Sequence, residues 1–334
     1  MVTMKEVANE AAVSIATVSR VINKSGYVSP DLEERVQRAM KELNYQPSSL
    51  ARSLRRQETQ TIGVLIPQLD HPFFSALCFS IEKALFASHY RALICSAEED
   101  RDKENAYIEM LLRQRVDGVI IVPTGHSIEN IYRLLKNSVP VVVLDRDMPE
   151  LTANRVVSDN YQGAYDGTTH LIELGHTNIG VIGGPAYSEP MVDRIQGIRA
   201  AIESRGLTIP PERMVIDSEQ QFEMGHSATK RFFAEDNPPT AIFALTDVMA
   251  VGVLHAASEM GLSVPGDLSI IGFDDIPLAQ YCIPTLTTIA QPIYEMGEVA
   301  VKLMLGYLRE PTQAFETVRL NTHLVHRQST AELK

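Results

Sequence analysis

Apolar side chains recur at helical spacing at the start of this chain. Met4, Val7, Ala8 and Ala11 fall at i, i+3, i+4 and i+7 and predict a short helix. Ala12-Val13-Ser14 interrupts that face, and Ser14 is placed to N-cap a second helix over Ile15–Asn23 by accepting from backbone N–H groups of its first turn. Ser29-Pro30 reads as an N-cap followed by Pro at the first helical position, opening a third helix through Leu43. Three short helices with a tight break between the first two predict a helix-turn-helix, the unit whose second helix enters the DNA major groove.

From Thr61 the pattern changes. Short apolar runs alternate with longer helical stretches: candidate strands are Ile62–Ile66, Ala92–Cys95, Gly118–Val122, Val139–Leu144, Ile179–Ile182, Ala241–Ala244, Ser269–Phe273 and Thr287–Ala290. Helices are predicted over Phe73–Ala87, Lys103–Arg115, Gln162–Leu174, Pro190–Ser204 and Val248–Met260. Val/Ile runs without polar alternation suit strands buried on both faces, hence a parallel sheet covered by helices. The stretch is too long for one such sheet, so two α/β subdomains are expected.

Ligands of open α/β sheets lie beyond the carboxyl ends of the strands. The residues there are polar and aromatic: Asp70-His71-Pro72-Phe73-Phe74, Asp145-Arg146-Asp147, Thr246-Asp247, Phe273-Asp274-Asp275 and Gln291, with Asp193-Arg194 opening a helix in the second half. Carboxylates accept from sugar hydroxyls, Arg donates in a fork, and Phe faces suit the apolar side of a sugar ring. The mixture describes a polyol site. An Asp at a strand end can instead serve only to N-cap the next helix, and for Asp247 and Asp275 that is the stronger reading. The Asp145-Arg146 pair is harder to explain so.

Charge changes the picture in one respect. The formal net charge of −12 argues against a protein that coats nucleic acid, yet residues 1–60 hold nine Lys/Arg against seven Asp/Glu. A mildly basic head on an acidic body suits DNA at one end and repulsion elsewhere, although such a small excess is also ordinary for a domain of this size. Cys78, Cys95 and Cys282 are isolated, without C-x-x-C spacing, which disfavours a disulfide framework or cysteine zinc site. No metal or cofactor is expected. The amino terminus carries no apolar signal segment and no run reaches the roughly 18 apolar residues of a membrane span, so a cytoplasmic protein is expected.

Together these residues resemble the LacI/GalR (lactose-repressor/galactose-repressor) family of bacterial transcription regulators. Val13-Ser14-Ile15-Ala16-Thr17-Val18-Ser19-Arg20-Val21-Ile22-Asn23 is similar to its helix-turn-helix signature, and Ser48-Ser49-Leu50-Ala51-Arg52-Ser53-Leu54 to its hinge helix. Ser269-Ile270-Ile271-Gly272-Phe273-Asp274-Asp275 and Leu286-Thr287-Thr288-Ile289 are similar to later signatures. The resemblance implies a small all-α helix-turn-helix head on an α/β periplasmic-binding-protein-like body of two doubly wound subdomains. It places the head at 1–45, a hinge helix and linker at 46–58, one subdomain at 59–159 with 292–321, and the other at 160–291 with 322–334. It further implies a homodimer on double-stranded operator DNA, controlled by a small-molecule sugar, with no catalysis; one helix-turn-helix buries little DNA, and a two-fold protein reads a palindrome. No long leucine-heptad tail follows Arg327, so a dimer rather than a tetramer is expected.

Ile15, Ala16 and Arg20 fall at the family's base-reading positions. Arg20 can fork onto guanine O6 and N7, worth roughly 1–3 kcal/mol of discrimination, so a palindrome with a guanine near each outer end, of the TG…CA kind, is expected. Ser14, Thr17 and Asn23 are assigned to phosphates. Ala12 stands where many members carry Gly, and a left-handed backbone there costs roughly 1 kcal/mol. Residues 47–56 are too short for a stable isolated helix; Leu54 matches the family's apolar minor-groove wedge, with Arg52, Arg55 and Arg56 beside phosphates.

The expected effector residues are His71, Phe73, Phe74, Asp145, Arg146, Arg194, Thr246, Phe273, Asp274 and Gln291, a pattern similar to ribose-binding members. His71, Val122 and Thr246 depart from it, standing where those proteins carry Asn. Ribose or a related pentose leads, with a purine or nucleoside as the alternative effector. A phosphatase-like enzyme built on Asp145 and Asp147 lacks the Thr or Val expected two residues after the second Asp, where Pro149-Glu150 instead follow Met148.

Overall fold

The computed structural model describes residues 2–23, 25–45, 58–124, 128–185, 187–217 and 221–334. Ser48–Leu54, and with it the DNA contacts expected of Arg52, Leu54 and Arg55, lies outside the described residues. The chain divides into two compact units, Met1–Thr59 and Gln60–Lys334.

The first unit holds α1 (Met4–Glu10), α2 (Ile15–Asn23) and α3 (Pro30–Glu42). A reciprocal capping box starts α1: Glu6 carboxylate accepts from Thr3 N at 2.7 Å, and Thr3 Oγ1 accepts from Glu6 N at 3.4 Å. Ser14 Oγ accepts from Thr17 N at 3.1 Å, the expected cap of α2. Pro30 stands in the first turn of α3 as expected, but Ser29 makes no side-chain cap bond. Ala12 is left-handed, with φ +49°. The turn is held from across the unit: Arg35 donates to the carbonyls of Ala11 (2.8 Å) and Ala12 (3.0 Å). Val7, Ala8, Ala11, Val18, Val36 and Ala39 form the small core.

The second unit contains two six-stranded sheets. The first, ordered β11-β5-β4-β3-β1-β2, joins β1 (Thr61–Ile66), β2 (Arg91–Ser96), β3 (Gly118–Ile121), β4 (Val141–Leu144), β5 (Asn154–Ser158) and β11 (Thr317–Leu320), all parallel. The second, ordered β12-β10-β9-β8-β6-β7, joins β6 (Ile179–Gly183), β7 (Met214–Ile216), β8 (Ala241–Ala244), β9 (Ser269–Asp274), β10 (Thr287–Ala290) and β12 (His323–Val325). Only β12 runs antiparallel.

Alternation along each strand sends side chains to two opposite cores. On the first sheet, Ile62, Val64 and Ile120 pack with α4 (Pro72–Ala87) and α11 (Ile293–Arg309), while Leu65, Val119 and Ile121 pack with α5 (Arg101–Gln114) and α6 (Ile128–Lys136). On the second, Ile182, Ile242 and Ile270 pack with α9 (Gln221–Phe233) and α10 (Asp247–Glu259). Val181, Phe243 and Ile271 pack with α7 (Asn160–Glu173) and α8 (Glu189–Ser204).

The chain passes from one sheet to the other after β5, after β10 and after β11. Thr322 Oγ1 donates to Asp159 O at 3.0 Å, tying two of these passages together. Gly163 sits beside them, where an added Cβ would run into Thr322 Oγ1 and Ile289. Among the described residues no helix is long and apolar enough to cross a membrane.

Candidate functional site

In the first unit, α2 buries Val18 and exposes Ile15 (49% accessible), Ala16 and Arg20 together. Their spacing puts a forked cation and two apolar side chains on one free face. Ser14 and Thr17 bond each other at 2.9 Å, and Asn23 Nδ2 donates to Ser19 O at 2.7 Å. Those bonds hold the flanks of the face; the hydroxyls of Ser14 and Thr17 can donate toward an anion, whereas both Asn23 Nδ2 bonds go to Ser19.

In the second unit, a cleft of about 460 Å³, its open mouth included, gathers residues from the carboxyl ends of strands in both sheets. From the first sheet come His71, Phe73 and Phe74 after β1, Glu99 after β2, and Asp145 and Arg146 after β4. From the second come Gly184, Pro185 and Ser188 after β6, Met191 and Arg194 on α8, Thr246 after β8, Asp274 closing β9 and Gln291 after β10. Nine of the ten expected effector residues therefore line one cleft. The tenth, Phe273, lies behind it: the Arg194 guanidinium sits 3.7 Å from the centre of its ring. Val122 is buried in the first core instead.

Both arginines are already matched by acids. Arg146 forks onto Glu99 at 3.0 and 2.5 Å and donates to Pro123 O at 2.8 Å. Arg194 donates to Asn160 Oδ1 (2.8 Å), Leu245 O (2.5 Å) and Asp274 Oδ1 (3.3 Å), and Asp274 Oδ1 also accepts from Gln291 Nε2 at 2.8 Å. Each guanidinium is thus rigidly aimed and its charge neutralised in place. Asp145 and Asp274 take left-handed backbones, φ +63° and +114°, a strained choice for residues with a side chain that turns both carboxylates at the strand ends.

Several polar atoms of the lining lack a hydrogen-bond partner among the described residues: Asp145 Oδ1, Arg146 Nε and Gln291 Oε1 are buried and unpaired. Burial pushes the Asp145 carboxyl above its ordinary pKa, against the pull of Arg146 and Arg194; it pushes Asp274 up in the same way, against Arg194 and His71. His71 caps α4, its Nδ1 accepting from Phe73 N at 3.3 Å, so the ring proton belongs on Nε2. The Phe73 and Phe74 rings meet edge to face at 5.2 Å.

Asp247 and Asp275 have structural roles, although neither caps the following helix. Asp247 accepts from Ile276 N (2.8 Å) and Thr288 Oγ1 (2.6 Å), binding the start of α10 to β10 and the loop after β9. Asp275 accepts from Arg327 at 2.6 Å. Asp147, the second carboxylate of the enzyme reading, pairs with Arg155 at 2.9 Å. Beyond the expected residues the cleft is lined by Glu99, Gly184, Pro185, Ser188, Pro190 and Met191, and Asn160 stands behind Arg194. Glu99 follows β2, so the strand-end rule itself could have found it. The same rule reaches Gly184, Pro185 and Ser188 after β6, whereas nothing along the chain marked Pro190 and Met191 on α8 or the contact of Asn160 with Arg194. Across the mouth, Glu189 on α8 accepts from Asp147 N at 3.2 Å. Burial, with Asp193, Asp145 and Asp147 close by, raises the Glu189 carboxyl to about 7.

A DNA-reading head joined to a two-sheet body with a polar cleft defines a ligand-responsive DNA-binding regulator. Residues 3–48 match the model for bacterial regulatory proteins of the lacI family, and residues 168–330 match the periplasmic binding protein-like domain. Two curated relatives span the chain at nearly equal identity. The ribose operon repressor of Haemophilus influenzae is 36% identical over 100% of both chains. The HTH-type transcriptional repressor PurR of Proteus mirabilis is 35% identical over 99% of this chain and 98% of its own. A solved LacI family transcriptional regulator from Enterococcus faecium with bound ribose is 34% identical with a TM-score of 0.75, covering 82% of this chain and 100% of that one. The chain belongs to the LacI family of bacterial transcription regulators.

Proposed function

We propose that this protein represses transcription as a homodimer on a palindromic operator, under control of a small neutral polyol, D-ribose or a related pentose, held in the cleft. One observation carries the effector assignment: the lining leaves two buried acceptors, Asp145 Oδ1 and Gln291 Oε1, and one buried donor, Arg146 Nε, unpaired, while both guanidinium charges are already matched. Vicinal hydroxyls donate and accept together, so one pentose can satisfy atoms of both kinds. A phosphate would need an unmatched cation, which the lining does not offer. Phe73 and Phe74 meet edge to face and form no parallel slot for a flat base. The purine reading is the second one because a relative of nearly equal identity carries the PurR name.

The assigned effector contacts are His71, Phe73, Phe74, Asp145, Arg146, Thr246, Asp274 and Gln291, with Arg194 stacked on Phe273 as the central donor. A ligand touching both sheets favours a closed cleft, and differential affinity for that state is what shifts the protein between its two forms. Ile15, Ala16 and Arg20 read bases while Ser14, Thr17 and Asn23 hold phosphates; the hinge residues Arg52, Leu54 and Arg55 are assigned to the minor groove and its phosphates by family resemblance. The dimer rests on large apolar side chains left in water: Phe79 and Phe86 on α4, and Tyr281 and Ile283 before β10, the last 96% accessible.

Thermal shift of the full chain against pentoses, hexoses, sugar phosphates and purines tests the effector. A ligand at 100 times its Kd adds about 2.7 kcal/mol. A rise with ribose or a close relative is expected; a rise with purines or sugar phosphates alone overturns the assignment and leaves the family intact.

A further inference from the structure

Along α10, whose first turn Thr246 caps, α9 and α10 touch backbone to backbone. A Cβ added to Gly225 would strike the Met249 carbonyl, and one added to Gly252 the Phe222 carbonyl. The glycines therefore permit an approach that no larger residue allows, and it brings the next turn of each helix face to face. His255 and Glu259 lie one helical turn apart on α10 and share a side, a spacing visible in the sequence. His226 of α9 meets them. Its Nε2 lies 2.9 Å from Glu259 Oε2, and His255 Nε2 lies 3.2 Å from Glu259 Oε1. One ligand atom from each of the three residues falls within 4.8 Å of the other two.

We propose that His226, His255 and Glu259 bind a divalent transition-metal ion of the Zn²⁺ class, clamping α9 to α10. Two imidazoles and one carboxylate are a donor set that suits Zn²⁺, Ni²⁺ and Cu²⁺ and disfavours Mg²⁺ and Ca²⁺, which take oxygen. A tetrahedral Zn²⁺ with bonds of about 2.0–2.1 Å holds its donors about 3.4 Å apart. The histidine–glutamate separations already lie within about half an ångström of that value, and closing the remaining separations from within 4.8 Å calls for rotation of the side chains. His226 is the more buried imidazole and the Phe222 ring lies parallel to it at 6.4 Å, restricting its orientation, while His255 and Glu259 face solvent and leave a fourth position for water.

Glu259 is held fully ionised, its carboxyl lowered to about 2 by bonds from Lys230 and His226. Lys230 Nζ reaches Glu259 Oε2 at 2.6 Å, one helical turn on from His226. It occupies an oxygen the ion needs and repels the ion's charge. Metal binding thus competes with the Lys230 ion pair. The sequence reading foresaw no metal, because His226 joins the pair on α10 only through the helix packing.

The test uses the full chain stripped with EDTA, dialysed, and titrated with ZnCl₂ against a chromophoric chelator, with circular dichroism to confirm that each variant is folded. One equivalent is expected to bind in the micromolar range. His226→Ala and His255→Ala are each expected to weaken it at least about tenfold, whereas Lys230→Gln tightens it. Binding of the same equivalent with unchanged affinity by the double variant His226→Ala/His255→Ala overturns the proposal and moves the ion elsewhere. So does a wild-type chain that takes up no zinc from the chelator.

Discussion

Replacing Arg194 by Met tests how the cleft floor is held. Arg194 is buried to 3% accessibility and pairs with Asp274, itself 2% accessible, while its guanidinium covers Phe273. Met keeps much of the volume but removes the charge, leaving Asp274 uncompensated beside Asp145 and Asp247. Burial and the nearby Asp274 already push Asp247 well above the ordinary carboxylate range, and only His71 and the Gln291 amide then remain to offset the burial of Asp274. Breaking a buried pair from one side costs about 3–5 kcal/mol. At about 2–4 °C per kcal/mol for a domain of this size, the melting temperature falls by roughly 6–20 °C. Adding Asp274→Asn removes the stranded charge while keeping an acceptor for Gln291, and is expected to restore roughly 1–3 kcal/mol. The remainder, from Asn160 Oδ1, Leu245 O and the lost ring contact, is not recovered. Both variants lose ribose binding. Urea denaturation followed by circular dichroism reads all three proteins. A double variant no more stable than Arg194→Met refutes the reasoning, since the stranded carboxylate would then not be the source of the loss.

Glu189 gives a pH signature: its folded pKa of about 7 lies above the ordinary glutamate value, so its contribution to stability is present in full below about pH 4.5 and is lost as pH rises through about 7. Glu189→Gln is therefore expected to raise the melting temperature at pH 8 and give no gain at pH 4.5; an equal shift at both would contradict the burial of this acid. Arg20→Ala is expected to weaken specific operator binding and erase the preference for guanine at one position of each half-site, measured by anisotropy with base-substituted duplexes; an intact preference removes Arg20 from base reading. Ile283→Glu is expected to shift the protein from dimer to monomer in analytical ultracentrifugation and leave ribose binding unchanged; an unaltered dimer places the interface elsewhere.

Much of this organisation was legible in the sequence because it is local. The helix-turn-helix rests on adjacent caps and an i, i+3, i+4, i+7 face, and the left-handed Ala12 stands where the family resemblance implied a glycine. Short apolar runs located eight of the strands to within two residues at each end. The strands that escaped were β5, β7, β11 and β12, short segments of three to five residues. Three of them, β7, β11 and β12, are half-exposed sheet edges whose mixed burial weakens the signal, and β12 runs against its neighbours. The amphipathic α6, α9 and α11 were also missed, although their periodicity was present to be read. For the site, the strand-end rule found the lining but not the pairing. That Arg146 is matched by Glu99, or that Asn160 meets Arg194, depends on which strand ends and helices the topology sets side by side within each sheet, and no spacing along the chain encodes it.

Equilibrium binding of the full chain to a palindromic duplex selected from random DNA, with and without D-ribose, tests the central claim most directly. The account predicts salt-dependent, sequence-specific binding of one dimer per duplex, with an affinity that ribose changes by about 5- to 150-fold. It also predicts that Asp145→Asn or Arg194→Met removes the ribose effect and leaves specific DNA binding in place. Specific binding that neither ribose nor any related pentose changes would contradict the account.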